Sequence, residues 1–187
     1  MDPIAQLERS LRQTAAVLDN AAGVAPDAPT PCRAWTIADL VDHVVFDTSQ
    51  FAVAARGERP DWTLIPPRVE SPYGAVFRPG ADRLIAAWRD SGDLDRVITL
   101  PIGERPASFA LSQQAAEFAV HAWDVAIATG QRVDWDVELA EAALAWSKTA
   151  LVPALRGENR RFAAEVPIAD DAPAQDRLVA WFGRSPR

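Results

Sequence analysis

The sequence is poor in several kinds of residue and segment, and each shortage excludes a class of protein. It has one cysteine, Cys32, so it has no internal disulfide framework and suits a reducing compartment. No apolar run approaches the roughly 18 residues of a membrane span, and the start MDPIAQLERS has neither a basic leader nor an apolar signal core. We therefore expect a cytoplasmic protein with no membrane partner.

Basic residues and several catalytic motifs are also scarce. Lysine and arginine number 19 against 26 aspartates and glutamates, for a net charge of −7, which disfavours nucleic acid and anionic membranes as partners. The sequence has no G-x-S-x-G motif, no glycine-rich phosphate loop and no C-x-x-C pair. Serine hydrolases, nucleotide-binding proteins and cysteine-zinc proteins therefore have no support.

The residues that are present predict a mainly all-α fold. The 187 residues are 49% hydrophobic and 24% charged, as expected for one compact protein. Apolar periodicity and capping residues predict helices over 3–22, 36–55, 81–90 and 112–129, and another from 136 to a break near Pro153. We expect an antiparallel four-helix bundle over residues 1–155 and a C-terminal extension over 156–187 packed on it.

Smaller elements are predicted between and after these helices. Prolines and glycines crowd residues 57–80, which predicts a long loop, and two β-like runs around Gly103 predict a hairpin. The loop and the hairpin are expected to wall a substrate site. The end of the chain, 161–184, predicts one short strand and one short helix.

A narrow polar stripe runs along the helix over 112–129. In EFAVHAWDVAIATG, residues 117–130, Glu117 and His121 are four residues apart, and Asp124 lies on the same face at about 100° per residue. Gln113 and Gln114 extend the stripe. An ordinary exposed stripe would usually include a lysine or an arginine, but neither occurs between Arg105 and Arg132.

The second helix repeats this pattern, with polar residues on one face at Asp39, His43, Asp47 and Gln50. The chain has only two histidines, and both occupy such stripes. Imidazole and carboxylate groups are ligands for zinc and other first-row metals. His43, Glu117 and His121 would form a three-ligand site with a position open to water or a thiolate.

Other interpretations of these residues stay open. A single histidine is more often a hydrogen-bonded core residue, and Glu-x-x-x-His also occurs as an ordinary helical pair. The aspartates at 39, 47 and 124 either orient the imidazoles or face solvent. Cys32 is either a second nucleophile or ligand, or a small buried side chain. The tryptophans at 35, 88, 123 and 146 are favoured as core residues over a substrate cage.

Three segments together resemble a known family: TPCRAWTIADLVDHVV, EFAVHAWDVAIATG and RFAAEVPIADDAPAQDRLVAWFGR. They are similar to an actinobacterial family related to the N-terminal domain of mycothiol-dependent maleylpyruvate isomerase, in the DinB-like superfamily of four-helix bundles. The resemblance implies a divalent metal, commonly zinc, on His43, Glu117 and His121. It also implies a homodimer.

The resemblance suggests a transferase or isomerase that uses mycothiol on a small electrophile. The isomerase has a further C-terminal domain, whereas only about 30 residues follow the fifth helix of this sequence. Thiol activation at the metal needs no such domain, because an open metal position lowers the pKa of a bound thiol. The alternatives are a non-catalytic metal- or small-molecule-binding bundle, and a purely structural bundle with a polar pocket.

Overall fold

A computed structural model describes residues 2–33, 35–100, 102–151, 155–157 and 162–186. No helix within these residues is both long enough and apolar enough to cross a membrane. They form six α-helices and one two-stranded sheet, which confirms the mainly all-α prediction: α1 Pro3–Asp19, α2 Ile37–Ala55, α3 Tyr73–Asp90, β1 Val97–Leu100, β2 Gly103–Pro106, α4 Ala107–Ala128, α5 Val137–Ala150 and α6 Ala174–Trp181.

The start of α2 follows directly from its capping residues. The Thr36 hydroxyl accepts a hydrogen bond from the Asp39 N–H, and the Asp39 carboxylate accepts one from the Thr36 N–H. This reciprocal capping box satisfies backbone donors that the first turn of a helix leaves unpaired. The predicted start of α2 is therefore confirmed, and the six residues that follow lead to His43.

Helices α1 to α4 form the bundle, in which α1 contacts α3 and α4 while α2 contacts the same two helices. Ser10 donates a hydrogen bond to the Ala115 carbonyl at 2.8 Å and Thr14 donates one to the Phe118 carbonyl at 3.2 Å, so α1 and α4 run in the same direction. The long connection over 56–72 leads the chain back along the bundle before α3 begins, and permits this arrangement of a bundle with a crossover.

Helix α3 runs antiparallel to α1. Arg89, at the end of α3, pairs with Glu8 near the start of α1 at 2.7 Å, and Arg78 pairs with Asp19 at the end of α1. The antiparallel packing expected for the bundle is therefore seen between these two helices.

The interior of the bundle holds an apolar core between α1, α3 and α4. We use this name for six side chains that are at most 3% exposed: Leu7, Leu11, Phe77, Leu84, Trp88 and Phe118. A second apolar cluster joins α5 and α6 to the outer face of α4 through Trp123, Leu139 and Leu178. The C-terminal helix therefore packs against the bundle, as expected, and the boundary predicted at residue 155 remains a prediction.

The predicted loop over 57–80 is wrong in its last third, because α3 already begins at Tyr73. Gly74 and Gly80 lie inside this helix at positions where a Cβ atom would collide with neighbouring helices, at 2.1 Å from Asp19 Oδ1 and 2.3 Å from Thr48 Oγ1. These glycines permit close helix packing and do not interrupt α3. The cost of glycine and of Pro79 in a helix is offset by this tertiary contact.

Other boundaries agree with the sequence only in part. Helix α4 starts at Ala107, five residues earlier than predicted, and ends as predicted before Gly130. Asp136 caps α5 by accepting a hydrogen bond from the Leu139 N–H, whereas the break expected at Pro153 lies outside the described residues. The C-terminal helix is present, but the strand predicted before it is wrong: within 162–173 the structure has one isolated bridge, at Phe162.

The predicted hairpin is present, with Leu100 opposite Gly103 in an antiparallel pair. Arg96, just before β1, donates a hydrogen bond to the Ala55 carbonyl at the end of α2. His43 lies twelve residues earlier on this helix, which corresponds to about 18 Å at 1.5 Å per residue. The hairpin therefore lies at the opposite end of α2 from His43 and does not wall the candidate site.

Candidate metal centre

Two antiparallel helices bring the predicted ligands together. Asp47 on α2 interacts with Glu117 on α4. One turn earlier on α2 and one turn later on α4, the His43 ring contacts the His121 ring, with centroids 5.2 Å apart. One potential ligand atom from each of His43, Glu117 and His121 lies within 4.8 Å of the other two. We call five residues the histidine cluster, namely the three potential ligands and the two aspartates beside the histidines: His43, Asp47, Glu117, His121 and Asp124.

The distances within this cluster indicate which imidazole nitrogens face its centre. His43 Nε2 lies 3.2 Å from Glu117 Oε1 and 3.4 Å from Asp47 Oδ2. His121 Nδ1 lies 3.1 Å from Asp124 Oδ2, so this carboxylate holds the Nδ1 proton and leaves Nε2 as the lone-pair donor. Carboxylate support behind a histidine is the arrangement seen in metal-binding histidines generally.

The three aspartates considered beside the histidines have different roles. Asp47 and Asp124 contact His43 and His121, whereas Asp39 caps α2 and faces Arg68 at 3.6 Å. Asp39 is therefore not a partner of either imidazole. Its position on the same helical face as His43 follows from periodicity, but its side chain is used by the first turn of α2.

Two of the glutamines on the stripes have hydrogen-bond partners outside the cluster. Gln114 accepts a hydrogen bond from Trp88 Nε1 at 3.1 Å, and both side chains are completely buried. Gln50 accepts one from the Asp61 N–H at 3.0 Å and so tethers the loop that follows α2. The stripes seen in the sequence therefore contain structural residues as well as the candidate ligands.

Burial and neighbouring charges separate the pKa values of the two carboxyl groups near His43. Burial, followed by the negative charge of Glu117, raises the pKa of Asp47 well above its usual value. Burial alone would also raise the pKa of Glu117, but hydrogen bonding to His43 and the charges of both histidines lower it. Of the two carboxyl groups, Glu117 is therefore the more readily ionised, which suits a metal ligand.

The two imidazoles also differ. Burial lowers the pKa of His43, but the hydrogen bond with Glu117 and the charges of Asp47 and Glu117 outweigh this and raise it. Burial lowers the pKa of His121, and its hydrogen bond with Asp124 only partly offsets that effect. Of the two imidazoles, His43 is therefore the one that more readily takes a proton, and a metal ion bound between His43 and Glu117 would displace that proton.

Two residues near the cluster were not identified from the sequence as parts of it. The Trp35 ring packs against both imidazoles, with centroids 4.5 Å from His43 and 5.6 Å from His121. Arg184, which follows α6, forms an ion pair with Asp124 at 2.6 Å. Trp35 directly precedes the cap of α2, which gives a local signal for its position, whereas nothing near Arg184 in the sequence indicates its partner.

Cys32 lies apart from the three converging ligand atoms. Its side chain is half-buried and interacts with the guanidinium of Arg184. The Trp35 N–H donates a hydrogen bond to its carbonyl at 2.8 Å, so the turn containing Cys32 helps place the Trp35 ring.

The cluster fits a divalent metal by its donor set and its access to solvent. Two imidazoles and one carboxylate form a set that zinc uses in catalytic sites, where a fourth position stays open. The side chains of His43 and Glu117 retain 21% and 23% of their accessible surface, while that of His121 retains 10%. His43 and Glu117 are therefore the candidate ligands whose side chains are more exposed to solvent.

Comparison with known proteins identifies the family of the chain. Residues 4–126 match the family described as mycothiol maleylpyruvate isomerase N-terminal domain. The chain belongs to this family. Its helical architecture is that of the DinB-like bundles, and all three candidate ligands lie within the matched residues.

The curated relatives extend over the whole chain but do not name an activity. Two uncharacterized proteins of Mycobacterium tuberculosis, from strains CDC 1551 / Oshkosh and H37Rv, are each 33% identical over 187 residues, covering all of both chains. No solved structure matches the sequence. The family and the geometry of the cluster are therefore the basis for proposing a function.

Proposed function

We propose that this protein binds a divalent metal, zinc in the first place, through His43, Glu117 and His121. The observation that carries this proposal is the convergence of three ligand atoms within 4.8 Å from two different helices. The ordinary explanation, a hydrogen-bonded core histidine, accounts for one imidazole at a time. It does not account for two imidazoles and an ionised carboxylate facing one point that is partly open to solvent.

We further propose that the metal activates a small-molecule thiol, mycothiol being the thiol in the family's description, for transfer to or isomerisation of a small electrophile. A zinc ion with an open position favours the thiolate form of a bound thiol at neutral pH. The chain's own groups would assist this chemistry. Asp47 interacts with Glu117 and would orient its carboxylate, and Trp35 packs against both imidazoles and would limit their motion.

The alternative function is a metal- or small-molecule-binding bundle without catalysis. The observation that favours it is the role of the polar groups around the cluster: Asp124 and Arg184 are paired with each other, which leaves Asp47 as the further carboxyl group beside the candidate ligands among the described residues. Such a site binds and shields a ligand without supplying a separate acid and base. The homodimer expected from the resemblance remains a prediction.

The metal assignment is tested by the metal content of protein purified after zinc supplementation. We expect one zinc per chain in the wild type and less than about a tenth of that in His43→Ala and His121→Ala, because each removes one of three ligands. Glu138→Ala is the matched control, since its carboxylate is 75% exposed and lies on α5. A wild type without stoichiometric metal, or histidine variants with full metal content, would refute the site.

Thiol activation is tested on the cobalt-substituted protein, whose visible spectrum reports on the ligands of the metal. We expect mycothiol to add a thiolate-to-cobalt absorption band and its S-methyl derivative to add none. If mycothiol produces no change at the metal, thiol activation is refuted and the non-catalytic binding function is favoured.

A further inference from the structure

The supporting carboxylate of His121 is itself held by a residue from the far end of the chain. Asp124 has no solvent exposure and contacts His121 Nδ1 through Oδ2. Arg184 binds the same carboxylate with two nitrogens, Nη2 at 2.6 Å from Oδ2 and Nε at 3.1 Å from Oδ1. The three side chains therefore form a continuous chain of hydrogen bonds from residue 184 to the candidate ligand.

This pairing through two nitrogens fixes the orientation of the Asp124 carboxylate and also compensates its charge. A guanidinium that uses two parallel N–H groups determines the plane of the carboxylate, which a single point charge does not. The Arg184 side chain is only 12% exposed, and its Nη1 donates a third hydrogen bond to the Phe182 carbonyl at 3.1 Å. Both partners are thus held within the protein interior, where solvent screens their interaction weakly.

A tight turn after α6 aims Arg184 at Asp124. Gly183 has φ of +81°, and the Arg184 N–H donates to the Val179 carbonyl at 3.0 Å, which folds the chain back over the end of the helix. A Cβ atom on Gly183 would lie 2.5 Å from Ala163 Cβ and 2.9 Å from the Ala164 carbonyl oxygen. Only glycine fits this turn without displacement, so the position of Arg184 depends on it.

We propose that Arg184 is a positioning residue of the metal centre, acting through Asp124 to keep the His121 imidazole in the tautomer and orientation that present Nε2 to the metal. This inference rests on the proposed metal site. It also assigns a role in that site to the segment after residue 126, where the match to the family ends. The site is then complete only when α6 and its turn are packed on α4.

The first test measures zinc affinity by competition with a chromophoric chelator. We expect Arg184→Met to weaken zinc binding by about 10-fold, the lower end of the usual effect of losing a partner of a metal-binding histidine, because Arg184 acts through Asp124. Arg184→Lys should lie between Arg184→Met and the wild type, since it keeps the charge but loses the paired N–H groups. Arg177→Met is the matched control on α6, because Arg177 pairs with Glu141 on α5.

Gly183→Ala tests the same inference while retaining the guanidinium. Its Cβ should displace Arg184 and weaken zinc binding in the same direction, and it carries the test with Arg184→Lys if Arg184→Met fails to fold. The proposal would be overturned if the two Arg184 variants and Gly183→Ala all bind zinc within about threefold of the wild-type affinity. Losing the residue that holds Asp124 in place should weaken zinc binding by more than about threefold.

The second test needs no metal and separates positioning from general stability. With only two histidines, ¹⁵N spectra of the imidazoles are assigned by comparison with His43→Ala. We expect wild-type His121 to carry its proton on Nδ1, and Arg184→Lys and Gly183→Ala, measured under conditions where both are folded, to show a mixture of tautomers. An unchanged tautomer in both overturns the inference. A wild type that binds no zinc refutes the metal site instead, and the tautomer result still decides the role of Arg184.

Discussion

The apolar core and the histidine cluster include residues from different faces of α4, and the two regions stabilise the protein in different ways. Phe118 is 1% exposed and packs against Phe77, with ring centroids 5.9 Å apart. Glu117, the preceding residue, faces His43 across α4 and α2. These adjacent residues therefore differ in their energetics. Phe118 stabilises the fold because its burial removes apolar surface from water, whereas Glu117 loses favourable solvation when it is buried.

This difference indicates what each region contributes. The apolar core needs no ligand, because dispersion and the hydrophobic effect favour its contacts outright. The histidine cluster places two carboxyl groups close together, and the pKa of Asp47 is raised first by burial and then by the charge of Glu117, which makes ionising both groups costly. A divalent cation would offset that cost, so the stability of the cluster should depend on metal, whereas that of the core should not.

The largest expected effect comes from the core. Phe118→Ala should lower the free energy of unfolding by about 3–5 kcal/mol, the range for truncating a buried phenylalanine. Chemical denaturation measures this loss. Zinc bound per folded chain should stay at the wild-type value, and a variant that folds but loses its zinc would show that the two regions are not separable.

The next effect comes from the cluster and appears only with metal. Free zinc at about 100 times its Kd should stabilise the wild type by about 2.7 kcal/mol, because it binds the folded chain and not the unfolded one. Thermal unfolding with zinc, and again after addition of a chelator, measures this change. His43→Ala should show no such increase, and an equal increase in that variant would mean that zinc stabilises the protein from another site.

A smaller effect sharpens the boundary between the two regions. Gln114→Met keeps the side-chain length but leaves the buried Trp88 N–H without its acceptor, and should cost about 1 kcal/mol. Denaturation of this variant, Trp88→Phe and the double variant would show whether the two residues are coupled. Zinc affinity should not change, and a clear loss of affinity would assign Gln114 to the cluster instead of the core.

Helix boundaries were predictable where a local signal specifies them. Thr36 with Asp39, and Asp136 before Val137, satisfy backbone donors within their own turns, so α2 and α5 start where the sequence places them. Helix α3 was not predictable in the same way. Its first eight residues contain glycines that favour a loop locally and become favourable only when α1 and α2 pack against them.

The candidate site was likewise predictable from the sequence only in part. Periodicity alone placed Glu117 and His121 on one face of a helix, since four residues return the side chain to nearly the same direction. It also included Asp39 and Gln114 on such faces, because periodicity reports direction and not distance. Only the packed structure separates the residues that contact an imidazole from those that cap a helix or bond to Trp88.

The sequence by itself therefore determined the helical class, the family and the three residues proposed as ligands, because these depend on spacing and residue type within single segments. The tertiary structure alone decided that Trp35 packs against both imidazoles and that Arg184 pairs with Asp124 from 60 residues away. Such contacts depend on how helices pack, and packing is determined by complementary surfaces that no single segment of sequence contains.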